Sequence, residues 1–567
     1  MPLAIQESAV PQGLPGPAEV RPGAGAAALR RPLAVLLGVM LYLAVTFSLY
    51  VDRMTLLHEE PRRTIVAQEM ILRGDYVVPS VFQRPYFKKP PFHNWLIALT
   101  ALPGGHVSAR GARSLSLAAF LGLGGLVYVL LRRTHPAGAA VAALMTLTSY
   151  LAACEYANRA EPDMLLALLG FLTYFFYMKR PWRWPYLLLS ALCMGLGILT
   201  KGVLPLFFYP GMLIWILTGG RPRARGLALL GLHLLLSLVA PALWAAALWQ
   251  RGDLGALLHT GMLEIASKTS GGAAAFIRHL YTYPLRLVLV LLPWSVAVAV
   301  AFRRAPHRGA LYRSSFWIAL CAVAAFTLAS GSRDRYILPA IPFLALVAAH
   351  HFDGDRHVPR LPGQLLLGFL GLACLAGAVA GIALGYFPQA AVFLAATGIA
   401  AVLLRRHWRA VDYALVVALF VITAYEHGVY YHRAVRKGSY DTAVSQIGER
   451  ADPAWPLVVD EHVPLIHLAF YLQAGLGRPV YGSGVAPGGH YYLITTPSRA
   501  DSAGRELLRL PYPRGDVGEV VLQEIDPQAT PEESVARGAP VGSAGPAGAG
   551  GGASPPSGSV SGMSRLR

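Results

Sequence analysis

A long succession of apolar runs constrains this chain more than any other feature of its sequence. A helix crossing a bilayer needs roughly 20 apolar residues, each rising 1.5 Å, to traverse about 30 Å of hydrocarbon. About thirteen runs meet that requirement, near residues 32–50, 114–131, 136–154, 162–178, 184–200, 203–219, 226–249, 285–302, 314–330, 336–352, 365–386, 388–404 and 410–430. Composition agrees: of 567 residues, 55% are hydrophobic and 14% charged. Soluble domains carry about a quarter charged residues, so a purely water-soluble protein is excluded.

The charge balance is 49 Lys and Arg against 30 Asp and Glu, a net +19. Such an excess can signal nucleic acid, but its distribution assigns it to a membrane and predicts no nucleic-acid partner. With the N-terminus inside, every second connection is basic: Arg132 and Arg133; Lys179, Arg180 and Arg183; Arg221, Arg223 and Arg225; Arg303, Arg304, Arg308 and Arg313; Arg356 and Arg360; Arg405, Arg406 and Arg409. Positive charge accumulates in short cytoplasmic loops. The opposite face therefore receives a long first loop, 51–113, a second at about 250–284, short turns near Asn158–Asp163 and Ser330–Arg335, and the C-terminal region. Abundant Ala, Gly, Arg and Pro suit a GC-rich bacterium, whose inner membrane would put this face in the periplasm.

The expected organisation is a cytoplasmic segment 1–31, a membrane region 32–431, a small periplasmic α/β domain 432–532 and a disordered Gly/Ala/Pro/Ser-rich tail 533–567. No short cleavable signal is evident, and the first run reads as a retained helix. In the α/β region, Pro456–Asp460 and His490–Thr495 read as strands and His467–Leu476 as a helix. Cys154, Cys193, Cys321 and Cys374 lie in or beside apolar runs without metal-site spacing.

Chemistry-bearing residues gather on the outer face. Glu59 and Glu60 directly follow the first run, where partial desolvation suits a carboxylate to act as base or metal ligand. They equally suit a helix start, with acidic groups at its positive end and Pro61 in its first turn. Paired lysines in Tyr86–Trp95, set between aromatics and Pro90-Pro91, could hold a phosphate at headgroup depth or contact anionic lipid. Asp163 begins a run on the same face as a second carboxylate or as a helix cap. Lys201 and the stretch Arg333–Tyr336 are costly at a membrane boundary unless paired or hydrated.

These elements, in this order, resemble the polyprenyl-phosphate-dependent membrane glycosyltransferases of the GT-C type. The closest likeness is to the lipid A 4-amino-4-deoxy-L-arabinose transferases and the protein O-mannosyltransferase-related group. The match runs from Glu59 through Gln68-Glu69-Met70, Gly74-Asp75-Tyr76 and Tyr86–Trp95, then Pro162-Asp163-Met164, Leu199–Gly202, Leu292-Pro293-Trp294 and Arg335–Pro339. The resemblance implies an all-α polytopic GT-C fold with amphipathic periplasmic loop helices, and inverting transfer of a pentose or hexose from a polyprenyl-phosphate carrier to a lipid, glycan or protein acceptor. It places Glu59, Asp163 and Glu60 as catalytic candidates, and Lys89, Lys201, Tyr336, Arg278 and Arg62 around the donor phosphate. Glutamate stands at residue 59 where the family commonly has aspartate, and Arg278 matches poorly. No cofactor is implied, although Glu59, Glu60 and Asp163 could gather an optional divalent ion. The alternative is a transporter or flippase of lipid-linked sugars, which shares the spans and buried charges; no internal repeat of transporter type is evident.

Overall fold

The computed structural model describes residues 26–51, 55–132, 135–149, 156–219, 223–269, 272–291, 294–303, 309–349, 431–485, 489–502, 504–512 and 517–526, with isolated positions between 368 and 398. The runs at 365–386, 388–404 and 410–430, the tail 533–567, and Cys154 and Cys374 lie outside the described residues, apart from those isolated positions in the first two runs.

Apolar runs become helices because a chain in hydrocarbon must satisfy its own backbone groups. The membrane region contains α1 (Ala26–Tyr50), α4 (Ala109–Leu131), α5 (Pro136–Thr148), α6 (Asp163–Lys179), α7 (Trp184–Lys201), α8 (Phe208–Thr218), α9 (Arg223–Ser237), α10 (Val239–Gln250), α13 (Ser295–Arg303), α14 (Ala310–Leu328) and α15 (Ile341–Ala349). Among the described residues, four helical segments are long and apolar enough to cross a membrane: Ala109–Leu131, Trp184–Lys201, Arg223–Gln250 and Ala310–Leu328. Several expected spans are broken instead. The run 203–219 starts as a 3-10 turn, Leu204–Phe207, and the run 336–352 follows another, Asp334–Ala340. Residues 250–284, expected as a loop, form α11 (Leu254–Thr269) and most of α12 (Gly272–Val290), which carries Pro284 inside it.

The largest buried cluster runs through α1, α4, α5, α6, α14 and α15. Gly211 on α8 lets that helix press against α14: a Cβ there would lie 2.5 Å from the Ile318 Cα, so only a small residue permits the approach. Outward-facing Leu243, Trp249, Leu235 and Val203 are each more than two-thirds exposed, as expected of a surface whose solvent is lipid.

The long loop 51–113, expected on the outer face, is itself folded. It contains α2 (Glu60–Arg73), a hairpin of β1 (Ser80–Val81) and β2 (Arg84–Pro85), and α3 (Phe92–Thr100). Beyond the membrane helices, α16 (Tyr431–Arg450) leads to β3 (Leu457–Val459), α17 (Ile466–Leu476), β4 (Val480–Gly482), β5 (Tyr491–Thr495), β6 (Arg505–Pro511) and β7 (Glu519–Ile525). The sheet order is β4-β3-β5-β7-β6, with β3 parallel to β4 and β5, and β7 antiparallel to β5 and β6. The expected strands and helix thus lie in a larger mixed sheet, whose β6 and β7 the sequence reading did not identify.

A second core joins this unit to the outer loop. Leu56, Ile65, Ile97 and Val107 are buried in one cluster with Tyr440, Ile447, Leu468 and Leu472. The Tyr471 hydroxyl also accepts from the Leu56 amide at 3.0 Å. Apolar burial of this kind holds two segments about 400 residues apart as one body, and a cavity opens at their seam.

Candidate active site

The adjacent carboxylates after the first span face opposite ways. His58 adopts φ 53° just before α2, and Glu59 occupies the residue preceding the helix. Successive helical positions are turned by about 100°, so the two side chains diverge. Glu60 is wholly buried. Its Oε1 accepts from Arg113 Nε at 2.8 Å and from the Ala160 amide at 2.8 Å; its Oε2 accepts from Arg113 Nη2 at 3.0 Å and the Leu57 amide at 2.8 Å. Arg113 also donates to the carbonyls of Val51 and Thr55, each at 2.7 Å. Burial pushes the Glu60 carboxyl up, but the Arg113 guanidinium and these donors outweigh it and hold it below the ordinary glutamate value. With its lone pairs occupied by structural donors, Glu60 pins three segments together, and the expected catalytic role does not fit its surroundings.

Glu59 is partly exposed and lines the cavity. It accepts from Arg62 Nη1 at 2.5 Å and lies 3.8 Å from Arg63 Nη2. Burial works against its charge, yet Arg62, Arg63 and Arg335 together keep its carboxyl below the usual range. Arg62, a candidate phosphate ligand, also lines the cavity but is engaged with Glu59.

A second charged group comes from the turn before α6. Glu161 is buried and paired with Arg335, while its Oε1 has no hydrogen-bond partner. Burial and the neighbouring Asp163 raise the Glu161 carboxyl more than Arg335 and Arg159 lower it. Asp163 is buried and paired with Lys201, and the Lys201 ammonium sits 4.8 Å from the centre of the Tyr336 ring. Asp163, Lys201 and Tyr336 thus converge from α6, α7 and the 3-10 turn before α15, as a buried cluster beside the cavity. Charge links the two groups, since Arg335 acts on both Glu59 and Glu161.

The cavity has a volume of about 900 Å³, and its lining includes Glu59, Arg62, Tyr156, Arg159, Glu161 and Arg333–Arg335. The lining also includes Val459–Glu461 and Val463–His467, the end of β3 and the approach to α17. Lys89 is not among the lining residues; its ammonium donates to Glu264 Oε1 of α11 at 2.7 Å. Arg278 is exposed on α12, likewise apart from the lining. Among the described residues, no group of three or more His, Cys, Asp or Glu is arranged to hold a metal ion. Arg335 belongs to the stretch Arg333–Tyr336 that the sequence marks as costly unless paired, whereas Glu161 is not singled out there. Its signal is position: it lies two residues from Asp163.

A body of many apolar helices joined to an α/β unit, with a charged cavity at the seam, is a fold that a solved structure shares. The structure of ArnT from Cupriavidus metallidurans bound to undecaprenyl phosphate has this fold, with a TM-score of 0.67 and 20% identity, covering 89% of this chain and all of that one. The sequence profile of the dolichyl-phosphate-mannose-protein mannosyltransferase family matches residues 88–245. The chain is 29% identical over 343 residues to the undecaprenyl phosphate-alpha-4-amino-4-deoxy-L-arabinose arabinosyl transferase of Pseudomonas aeruginosa strain UCBPP-PA14, which covers 56% of this chain. It is 25% identical over 390 residues to the enzyme of the same name from Serratia proteamaculans, which covers 65% of this chain and 68% of the relative. The match spans 60% of the length of the Pseudomonas relative. The resemblance read from the outer-loop motifs therefore extends to both sequence and fold.

Proposed function

We propose that this chain is an integral-membrane glycosyltransferase that moves a sugar from a polyprenyl-phosphate carrier to an acceptor at the outer face of a bacterial inner membrane, with its N-terminus cytoplasmic. The observation that carries this reading is the cavity in which Glu59 and Glu161 share the lining with Arg62, Arg159, Arg333 and Arg335, brought together from α2, the turn before α6 and the turn before α15. Inverting displacement at an anomeric carbon needs cations to meet the charge growing on the departing phosphate, and a carboxylate to orient and deprotonate the incoming hydroxyl. Arg335, Arg333 and Arg159 offer the first and Glu59 the second. The relatives' names supply the carrier by analogy; the sugar is a pentose or hexose, and the acceptor a lipid, glycan or protein. The purified protein in nanodiscs should release polyprenyl phosphate from a polyprenyl-phosphate sugar as the sugar is bonded to a hydroxyl of added membrane lipid, glycan or protein acceptor, whose proton passes to the base. Movement of the intact donor across the bilayer without release would support the flippase reading instead.

The two cavity carboxylates make the identity of the base measurable. A base works when deprotonated, so activity falls as pH drops through its pKa. Glu59 is held below the ordinary value of 4.5, whereas Glu161 is raised above it. With Glu59 as base, the acid limb of the kcat/KM profile should lie below pH 4.5. A limb above that value would move the role to Glu161.

Lys89 is proposed to meet the donor phosphate after exchanging its Glu264 partner. Charge-assisted hydrogen bonds contribute about 1.5–3 kcal/mol, so Lys89→Ala should raise the donor KM roughly tenfold or more and the acceptor KM little. Glu264→Gln, which removes the competing carboxylate, should lower the donor KM. Equal effects of Lys89→Ala on the two substrates would dismiss a dedicated phosphate contact.

A further inference from the structure

We infer that the tip of the β1–β2 hairpin and the carboxyl end of β3 form a sugar-binding subsite for the acceptor, with the Phe82 ring as its platform. This rests on the glycosyltransferase reading and assigns a task to the C-terminal unit. The hairpin pairs Val81 with Arg84, leaving a two-residue loop in which Phe82 and Gln83 have φ of 57° and 64°. Left-handed geometry at both positions suits Asn-Gly and is strained for a Phe-Gln pair. The buried Glu69 carboxylate holds the strained turn in place, accepting from the Phe82 amide at 2.7 Å, the Gln83 amide at 3.1 Å and the Ser80 hydroxyl at 2.6 Å. What the strain achieves is placement of a half-buried aromatic ring in the cavity wall.

The same hairpin is latched to the C-terminal sheet. Arg84 Nη1 lies 3.2 Å from Glu461 Oε2. A Cβ at Gly484 would fall 1.8 Å from Arg84 Nη2, and one at Gly482 would fall 1.7 Å from Glu461 Oε1, so the pair lies flat across two glycines. Chain order supplies an independent reason for a ligand here. From β3 the chain passes to β4 on one side and then to β5 on the other, so the crevice beyond the carboxyl end of β3 is a topological switch point, where open α/β sheets bind ligands. Asp460 closes that crevice by accepting from Thr495 and Arg499, and Glu461 follows it into the cavity wall.

The proposed base assigns the subsite to the acceptor. Glu59 lines the same cavity as Phe82 and Glu461, so a hydroxyl delivered to Glu59 brings the sugar that carries it to the hairpin tip and the end of β3. The C–H face of a pyranose carries partial positive charge and suits the negative face of an aromatic ring, while carboxylates accept from its hydroxyls.

The test is saturation-transfer NMR on the full chain in nanodiscs, with methyl glucoside and methyl glucosaminide as probes, for the wild type and for F82N/Q83G, which installs residues that favour the turn. The wild type should transfer saturation to the ring C–H protons. F82N/Q83G should weaken that binding about tenfold, and F82W, which keeps an aromatic ring against the second core, should retain it. Absent binding in the wild type, or undiminished binding in F82N/Q83G, overturns the subsite. Failure of the wild type to release polyprenyl phosphate from any donor overturns the transferase reading and with it the acceptor role, a result the sugar-binding readout does not depend on.

Discussion

Glu60→Ala is expected to destabilise the protein by roughly 3–5 kcal/mol, enough to prevent isolation of a monodisperse sample. The pair it breaks has both side chains at 0% exposure, and the substitution strands the Arg113 guanidinium and the amides of Leu57 and Ala160 without their acceptor. Arg113→Ala should have a similar effect, because it leaves a buried carboxylate and the carbonyls of Val51 and Thr55 without their donor. Replacing both residues together with apolar side chains of similar volume should recover much of the loss, since two buried charges cost more to desolvate than an apolar pair. The measurement is thermal unfolding of the purified protein, followed with size-exclusion profiles. An unchanged melting temperature in Glu60→Ala would show that the clamp contributes nothing. The sign with pH follows from the lowered carboxyl: the contribution is complete above the ordinary value of 4.5 and is lost as pH falls through the folded-state pKa.

Glu59→Gln should separate chemistry from folding. A positioned general base contributes about 10²–10⁴-fold to rate, so sugar transfer should fall by that order while expression, melting temperature and donor binding stay near those of the wild type. Stability is largely spared because the close Glu59 pair, with Arg62, is partly exposed on both sides and such pairs contribute little, while Arg63 lies 3.8 Å away. Normal turnover in this variant would remove Glu59 from the mechanism. Asp163→Asn should also lose activity, but by a less clean route: it leaves the Lys201 ammonium buried beside Tyr336 without its counter-charge, and stability should fall with it.

Contrasts between residues show how much of the site could be read in advance. The sequence located the outer-face stretches that carry it: Glu59 and Arg62 line the cavity, and Asp163, Lys201 and Tyr336 meet beside it. It could not separate Glu59 from Glu60, because that depends on which side of the helix start faces Arg113, 53 residues away. Glu161 was passed over for Asp163 because the value of Glu161 comes from Arg335, 174 residues further on. Lys89 stands in the most specific motif of the chain, yet its ammonium is held by Glu264 rather than by the cavity. Local pattern says that a polar group belongs at the membrane face; it does not say which distant partner takes up its charge.

Span length shows the same division. The run 226–249 reads as one span and is helical across Arg223–Gln250, while 336–352 opens in the 3-10 turn Asp334–Ala340, which brings Tyr336 against Lys201. The sequence by itself determined that the chain is a multi-span membrane protein with chemistry-bearing polar groups in the stretches between its apolar runs, since apolar length and the placement of charge act locally and additively along it. Only the tertiary structure decided which carboxylate is buried, which arginine faces it, and that the C-terminal sheet walls the cavity. Those outcomes rest on contacts between segments from 53 to several hundred residues apart, where a burial cost is offset by one particular partner and by no other.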